Sequence, residues 1–324
     1  MKAIVCEQFG PPSGLVVKEI EALRPKAKEV LVLVKACGVN FPDTLIIQGL
    51  YQFKPELPFT PGSDIAGVVK EVGEEVAHLK PGDDVFGFVM NGGFAEEVLV
   101  PGNACFPKPP QMDFPTAASF MMAYGTSYHA LKDRGNLMEG ETLLVLGASG
   151  GVGLAAVALG KLMGARVIAA ASTKEKLDLC RQYGADELIN YSEENLKERI
   201  KELSGGKGAD VVYDPVGGAY SEAALRGMAW EGRYLVVGFA AGDIPKIPLN
   251  LPLLKGCAIV GVFWGSFAMK TPKKNMQNTA QLMQWYGEGK LKPHIHAVYP
   301  LADVPKALEE MMERKVRGKV VIGI

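Results

Sequence analysis

The chain has 324 residues, of which 48% are hydrophobic and 22% charged, and its formal net charge is −1. This length allows two domains with separate cores, and the near-neutral charge argues against nucleic acid or an anionic membrane as a partner. The five cysteines include no C-x-x-C pair, which predicts reduced thiols in a cytoplasmic protein. The N-terminus lacks the apolar core of a signal peptide, and no run is apolar enough to predict a membrane span.

Residues 1–123 predict short strands separated by turns. Runs rich in β-branched residues recur, such as EVLVLVKACGV (29–39) and DIAGVVKEVG (64–73), and Gly and Pro interrupt them, as in KPGDD (80–84). This pattern is typical of a small, mostly antiparallel barrel or sandwich.

Residues 124–264 show a different sequence pattern, in which predicted apolar strands alternate with predicted helices. The predicted strands are TLLVLG (142–147), ARVIAAAS (165–172), DELINY (186–191), ADVVYDPVG (209–217), GRYLVVGF (232–239) and CAIVGVF (257–263). Nearly continuous apolar strands that alternate with helices indicate a parallel sheet covered on both faces. The segment therefore predicts a doubly wound α/β domain that binds a nucleotide.

Residues 265–324 contain two helical patterns, NTAQLMQWYGEGK (278–290) and DVPKALEEMMERK (303–315), and a final strand, GKVVIGI (318–324). We expect this whole segment to return to the first domain.

A glycine-rich loop, VLGASGGVGLAA (145–156), joins the first strand of the parallel domain to its first helix. Gly150 and Gly151 let the backbone approach a pyrophosphate, and the helix N-terminus offers free N–H groups to the anion. We therefore predict that residues from Ser149 to Val152 bind a dinucleotide. A tight turn whose glycines serve only packing is the alternative.

The residues that follow the later strands indicate which dinucleotide is bound. Enzymes that use NAD usually place Asp or Glu at the end of the second strand, whereas this chain has Ser172, followed by Lys174 and Lys176. A missing carboxylate beside cations favours a 2′-phosphate and hence NADPH. Ligands bind at the carboxyl ends of such strands, which adds these residues to the predicted cofactor site: Tyr191, Gly238, Phe239, Val262, Phe263 and Trp264.

Three stretches carry a resemblance to a known family: CGVNFPDTLIIQGLY (37–51), PFTPGSDIAGVV (58–69) and AYGTSYHAL (123–131). With the glycine loop, they resemble the zinc-free quinone oxidoreductases of the medium-chain dehydrogenase/reductase superfamily, over essentially the whole chain. The resemblance implies a GroES-like β-barrel catalytic domain and a Rossmann domain that binds NADPH. It implies hydride transfer from NADPH to a quinone or another α,β-unsaturated carbonyl compound.

The same resemblance bears on a metal site. Zinc-dependent members of the superfamily have Cys at the position of Asn40, and His and Glu at the positions of Ser63 and Asp64. A catalytic zinc takes about three protein ligands, and this chain offers at best Asp64. We therefore expect no metal, and we expect Asp64 to be a structural hydrogen-bond acceptor rather than a catalyst.

The resemblance also implies roles for particular residues. Tyr51 matches an active-site tyrosine and Thr126 a threonine near the nicotinamide. Asn40 is a candidate donor to the acceptor oxygen and a cofactor contact, and Asp43 a candidate to orient a partner or water. Lys319 is expected to meet a cofactor phosphate. Packing at a domain edge is the alternative for Tyr51, and a structural turn amide the alternative for Asn40.

Two other functions compete with quinone reduction. An enoyl-CoA or alkenal reductase would use the same tyrosine, and an NADPH-binding protein with an RNA-binding or structural role would need no turnover. The apolar sixth strand lies at the predicted sheet edge, where related proteins dimerise, so we expect a homodimer with a cleft between its two domains for the substrate.

Overall fold

The computed structural model describes residues 1–324, which form two compact units. Met1–Met122 and Pro293–Ile324 form the terminal unit, and Ala123–Lys292 form the central unit. The predicted return of the chain at residue 265 is therefore too early. The helices Trp264–Lys270 and Pro272–Gly287 belong to the central unit, where Asn278 donates to Asp133.

The chain forms fifteen strands and eleven α-helices. The strands are β1 (Lys2–Val5), β2 (Val16–Glu19), β3 (Glu29–Val39), β4 (Asp64–Val72), β5 (Asp84–Phe88), β6 (Glu97–Pro101), β7 (Cys105–Pro107), β8 (Thr142–Leu146), β9 (Arg166–Ala171), β10 (Glu187–Asn190), β11 (Ala209–Asp214), β12 (Met228–Val236), β13 (Ala258–Gly261), β14 (Ile295–Pro300) and β15 (Lys319–Gly323). The helices are α1 (Phe41–Ile46), α2 (Phe114–Ala118), α3 (Thr126–Tyr128), α4 (Gly151–Leu162), α5 (Lys174–Gln182), α6 (Leu196–Leu203), α7 (Ala219–Arg226), α8 (Asn250–Lys255), α9 (Trp264–Lys270), α10 (Pro272–Gly287) and α11 (Val304–Met312). Two π-helical segments, Met121–Gly125 and His129–Arg134, flank α3.

The terminal unit is built on a seven-stranded sheet in the order β14-β15-β3-β4-β5-β7, in which β6 also pairs with β3. All its pairs are antiparallel except β14 with β15. The long strand β3 is central because its apolar side chains are almost all buried. The GroES-like, mostly antiparallel fold expected of this part is confirmed, and the last strand does return to it, with Val320 opposite Val39.

The central unit contains the predicted parallel sheet, in the order β10-β9-β8-β11-β12-β13. Helices cover both faces. Leu144 lies in a buried cluster with Ile200 of α6, whereas its neighbour Leu143 contacts Gly160 of α4. Successive side chains of a strand point to opposite faces, so the doubly wound Rossmann-like fold is confirmed. No helix of the chain is long and apolar enough to span a membrane.

Candidate active site

The glycine loop lies between β8 and α4, as the sequence predicts. A Cβ on Gly153 would come within 2.3 Å of the Gly147 carbonyl oxygen, so only glycine lets the helix pack this closely on the turn. Gly150 caps α4 and has no side chain to accept its first N–H groups. The turn therefore leaves a helix N-terminus without a protein acceptor, which is the arrangement that binds pyrophosphate.

Ser172 and Lys176 meet where β9 ends. Thr173 caps α5, which places Lys176 in the first turn of that helix. From there its Nζ donates to Ser172 Oγ over 3.2 Å. The position that would hold a carboxylate for a ribose hydroxyl thus presents a hydroxyl and an ammonium group, which suit a 2′-phosphate.

The residues predicted for the cofactor after the third, fifth and sixth parallel strands lie at the same carboxyl edge of the sheet. Tyr191 packs on Tyr220 with ring centroids 4.3 Å apart. Phe239 lies against Gly217, where a Cβ would come within 2.9 Å of its ring. Val262 is buried and Phe263 is 54% exposed.

Trp264 points into the interior of the central unit. Its indole is buried against Gly125, and its Nε1 donates to Asn275 Oδ1 over 3.2 Å. The indole ring therefore packs in the core, and the cofactor contact of Trp264 stays a prediction. Of the two aromatic residues after β13, Phe263 is the accessible one.

Thr126 is buried, and its neighbour Ser127 ties α3 to the glycine loop. Ser127 Oγ donates to the Val152 carbonyl over 2.8 Å and lies 2.9 Å from the Tyr213 hydroxyl. The sequence reading missed Ser127 and Tyr213, since the chain alone does not show that these segments touch.

Asp214, at the end of β11, is a third residue that the sequence did not single out. Its Oδ1 accepts the backbone N–H groups of Val216 and Gly217, and its Oδ2 accepts the hydroxyls of Ser221 and Tyr234. The buried carboxylate therefore shapes the loop after β11. A charged residue directly after the buried run 211–213 at the end of this strand was the available signal.

The terminal unit holds a buried polar cluster that includes two predicted catalytic residues. We call it the Lys319 cluster: Cys37, Asn40, Asp43, Asp64 and Lys319. Strand register assembles it, because Gly38 pairs with Asp64 on one side of β3 and Val39 pairs with Val320 on the other. Asn40 precedes α1, and its backbone N–H donates to Asp43 Oδ2 over 2.7 Å, as in a capping box.

Lys319 is at the centre of this cluster. Its Nζ is 2.5 Å from Asn40 Oδ1, 3.1 Å from the Val39 carbonyl oxygen and 3.6 Å from Asp64 Oδ2. The side chain is therefore engaged inside the terminal unit. The ammonium group already faces protein oxygens, and the predicted contact with a cofactor phosphate stays a prediction.

Burial perturbs every titratable group of the cluster. It raises the pKa of Asp43 to about 7, although the hydrogen bond from the Asn40 backbone N–H lowers this pKa. It raises the pKa of Asp64 to about 6, against the nearby charge of Lys319. It lowers the pKa of Lys319, which Asp64 in turn raises. The Cys37 thiol has a pKa well above its usual value, first because of burial and then because of Asp43, so it is held as a neutral thiol.

Asn40 and Tyr51 differ in their surroundings. Asn40 is 6% exposed, and its amide nitrogen donates to the Gly38 carbonyl over 3.3 Å, a contact that fits the alternative of a structural turn amide. Tyr51 is half-buried and packs against the core of the terminal unit. Burial and the charge of Asp43 raise its pKa, which keeps the phenol protonated as a hydrogen-bond donor.

Comparison with known proteins gives the family of the chain. The family described as alcohol dehydrogenase GroES-like domain matches residues 26–110, and the family described as zinc-binding dehydrogenase matches residues 151–285. The quinone oxidoreductase-like protein 2 homolog of Nematostella vectensis is 42% identical over 99% of this chain and 88% of its own length. This chain belongs to the quinone oxidoreductase group of the medium-chain dehydrogenase/reductase superfamily.

Solved structures of this superfamily agree with the fold. The structure of Escherichia coli quinone oxidoreductase complexed with NADPH is 29% identical, with a TM-score of 0.93 over 100% of both chains. The CurK enoyl reductase is 26% identical, with a TM-score of 0.90 over 99% of this chain and 98% of that one.

The description of the second family as a zinc-binding dehydrogenase raises the question of a zinc ion. The side chains of this chain do not fit one. No group of three or more His, Cys, Asp or Glu side chains could hold a metal ion. In the Lys319 cluster, the ammonium group itself lies 3.6 Å from the Asp64 carboxylate. A second cation beside it would meet strong charge repulsion.

Proposed function

We propose that this chain is an NADPH-dependent oxidoreductase that transfers hydride to a quinone or another α,β-unsaturated carbonyl compound. The observation that carries the proposal is the Ser172–Lys176 pair beside the glycine loop. The quinone oxidoreductase of Escherichia coli, which is complexed with NADPH, supports the same cofactor.

The central unit offers groups for each part of the cofactor. Residues from Ser149 to Val152 would hold the pyrophosphate, Ser172 and Lys176 the 2′-phosphate, and Tyr191 the adenosine side. Thr126 and the residues after β12 and β13 would lie on the nicotinamide side, namely Gly238, Phe239, Val262 and Phe263. When bound, NADPH supplies the hydride that the protein cannot.

Tyr51 is the residue of this chain that we assign as hydrogen-bond donor to the acceptor oxygen. Negative charge develops on the acceptor oxygen during reduction, and a positioned donor stabilises it. The raised pKa of Tyr51 keeps its hydroxyl available as that donor. Asn40 and Asp43 are buried, so we assign them to positioning α1 rather than to contact with the substrate.

The test compares NADPH with NADH as cofactor, and 9,10-phenanthrenequinone with crotonyl-CoA as acceptor, by following nicotinamide oxidation in metal-free protein. We expect turnover of the quinone with NADPH. Lys176→Ala should raise KM for NADPH roughly tenfold and leave KM for NADH unchanged, because one charged hydrogen bond is lost. Lys174→Ala is the matched control, as Lys174 is exposed in the same helical turn. Equal use of NADH by the wild type would refute the cofactor assignment.

Reduction of an enoyl thioester is the second candidate, and the likeness to the CurK enoyl reductase favours it. Both reactions place charge on an acceptor oxygen, so Tyr51 serves either. Turnover of crotonyl-CoA far above that of the quinone would make this the correct assignment.

We also propose a cytoplasmic homodimer. All five cysteines are unpaired, which suits a reducing compartment. β13 is an edge strand of the parallel sheet, with Ile259 44% exposed, and α8 before it exposes Leu253. Exposed strand edges favour pairing with a second copy. Light scattering should give twice the chain mass of 34.7 kDa, and Ile259→Lys should shift it toward one chain.

A further inference from the structure

We propose that Lys319 is a positioning residue and the resident cation of the candidate site. Its buried ammonium group stands where a metal ion would otherwise balance the buried carboxylates, and it fixes the start of α1. The kinetic part of this inference rests on the proposed function, whereas its structural part does not.

The surroundings of Lys319 resemble those of a bound cation. Oxygen atoms face the ammonium from three elements: the Val39 carbonyl at the end of β3, Asn40 Oδ1 at the start of α1, and Asp64 Oδ2 at the start of β4. Lys319 itself starts β15. One ammonium group therefore links three neighbouring strands and one helix N-terminus.

Charge balance makes this ammonium necessary. The titratable groups around it are Asp43, Asp64 and Cys37, and the thiol is neutral. Two buried carboxyl groups thus share one cation. Removal of that cation leaves them uncompensated in the interior, which is far more costly than the loss of an exposed ion pair.

The position of α1 links Lys319 to Tyr51. Lys319 holds the Asn40 side chain, and the Asn40 backbone caps α1 together with Asp43. The chain leaves α1 at Ile46 and reaches Tyr51 within five residues, and the charge of Asp43 acts on the Tyr51 hydroxyl. A shift of α1 would therefore move the proposed donor, while the groups proposed for the cofactor phosphates lie in the central unit.

The experiment uses the full chain and three variants: Lys319→Met, Lys319→Met combined with Asp64→Asn, and the control Lys315→Met. Lys315 is exposed and pairs only with Glu313. We expect Lys319→Met to lower Tm by about 10 °C and kcat for the quinone roughly tenfold to a hundredfold. Its Kd for NADPH, from fluorescence titration, should stay within about twofold of the wild type, because the ammonium group of Lys319 is already engaged by protein oxygens of the terminal unit.

The double variant separates charge from packing. It removes one carboxylate with the cation, so it should recover most of the lost Tm even if the single variant fails to fold. No recovery would overturn the proposal, as would wild-type Tm and kcat in Lys319→Met. A Kd for NADPH raised tenfold or more would overturn it in favour of a phosphate contact.

Metal content gives a readout independent of turnover. After equilibration with zinc and dialysis, the wild type should retain less than stoichiometric zinc. Stoichiometric zinc that Asp64→Asn abolishes would show that a metal, not Lys319, is the cation. If the wild type reduces no acceptor, the proposed function fails, but the Tm and zinc measurements still decide the role of Lys319.

Discussion

The buried carboxyl group of Asp43 should make stability depend on pH. Burial raises its pKa from 3.8 to about 7, so the folded chain binds this proton more tightly than the unfolded chain. The stability that the protonated group contributes is complete below the unfolded pKa. It is lost as pH rises through the interval up to the folded pKa.

The shift sets the size of the effect. A change of roughly three units in pKa corresponds to roughly 4 kcal/mol in full, of which roughly 2–3 kcal/mol falls between about pH 5 and pH 8. Asp43→Asn keeps an oxygen that accepts the Asn40 N–H and removes the titrating group. It should therefore abolish this part of the pH dependence and leave the variant more stable than the wild type at pH 8.

The assay is denaturant unfolding at several pH values and constant ionic strength, with the difference between variant and wild type as the quantity compared. The difference is needed because burial lowers the pKa of His129 and His294, which act with the opposite sign. Glu74→Gln is the control, since Glu74 is an exposed carboxylate of the same unit. If Asp43→Asn keeps the wild-type slope, the burial argument for Asp43 is wrong.

Three further predictions concern packing, the proton donor and the cofactor. Gly38→Ala would place a Cβ 2.1 Å from the Ala118 carbonyl oxygen and should destabilise the chain by about 1–3 kcal/mol in thermal unfolding. Gly10→Ala is the control, because Gly10 has open space around it. Equal Tm values for the two variants would contradict this prediction. Tyr51→Phe should lower kcat for the quinone roughly tenfold to a hundredfold without changing Kd for NADPH, and an unchanged kcat would remove Tyr51 from the site. Ser172→Asp should raise KM for NADPH and lower KM for NADH by roughly tenfold each, and an unaltered ratio of the two would show that the 2′-phosphate lies elsewhere.

Local sequence patterns predicted most of the central unit correctly. Six short apolar runs, the first four each followed by a helical pattern, identify parallel strands because such strands are buried on both faces. The glycine loop is equally readable, since a Cβ at Gly153 would collide with the preceding turn. The lack of an acidic residue at Ser172 can be read from a single position, the end of the second predicted strand.

Other predictions failed because local patterns carry no information on long-range contacts. The amphipathic pattern of α10 shows that one face is buried, but not that Asn278 binds Asp133 in the central unit. An aromatic residue after a strand can face a ligand or the core, and Trp264 faces the core. Short helices such as α1 contain too few turns for periodicity to reveal them.

The sequence by itself determined the parallel strands of the central unit, the dinucleotide loop and the lack of an acid at the end of the second parallel strand, because each depends on neighbouring residues. Only the tertiary structure decided the role of Lys319. Its partners Asn40 and Asp64 lie far away in the chain, and β15, β3 and β4 bring the three together through their register. The charge of a lysine can be read from a sequence, but its burial and the oxygens around it follow only from strand pairing.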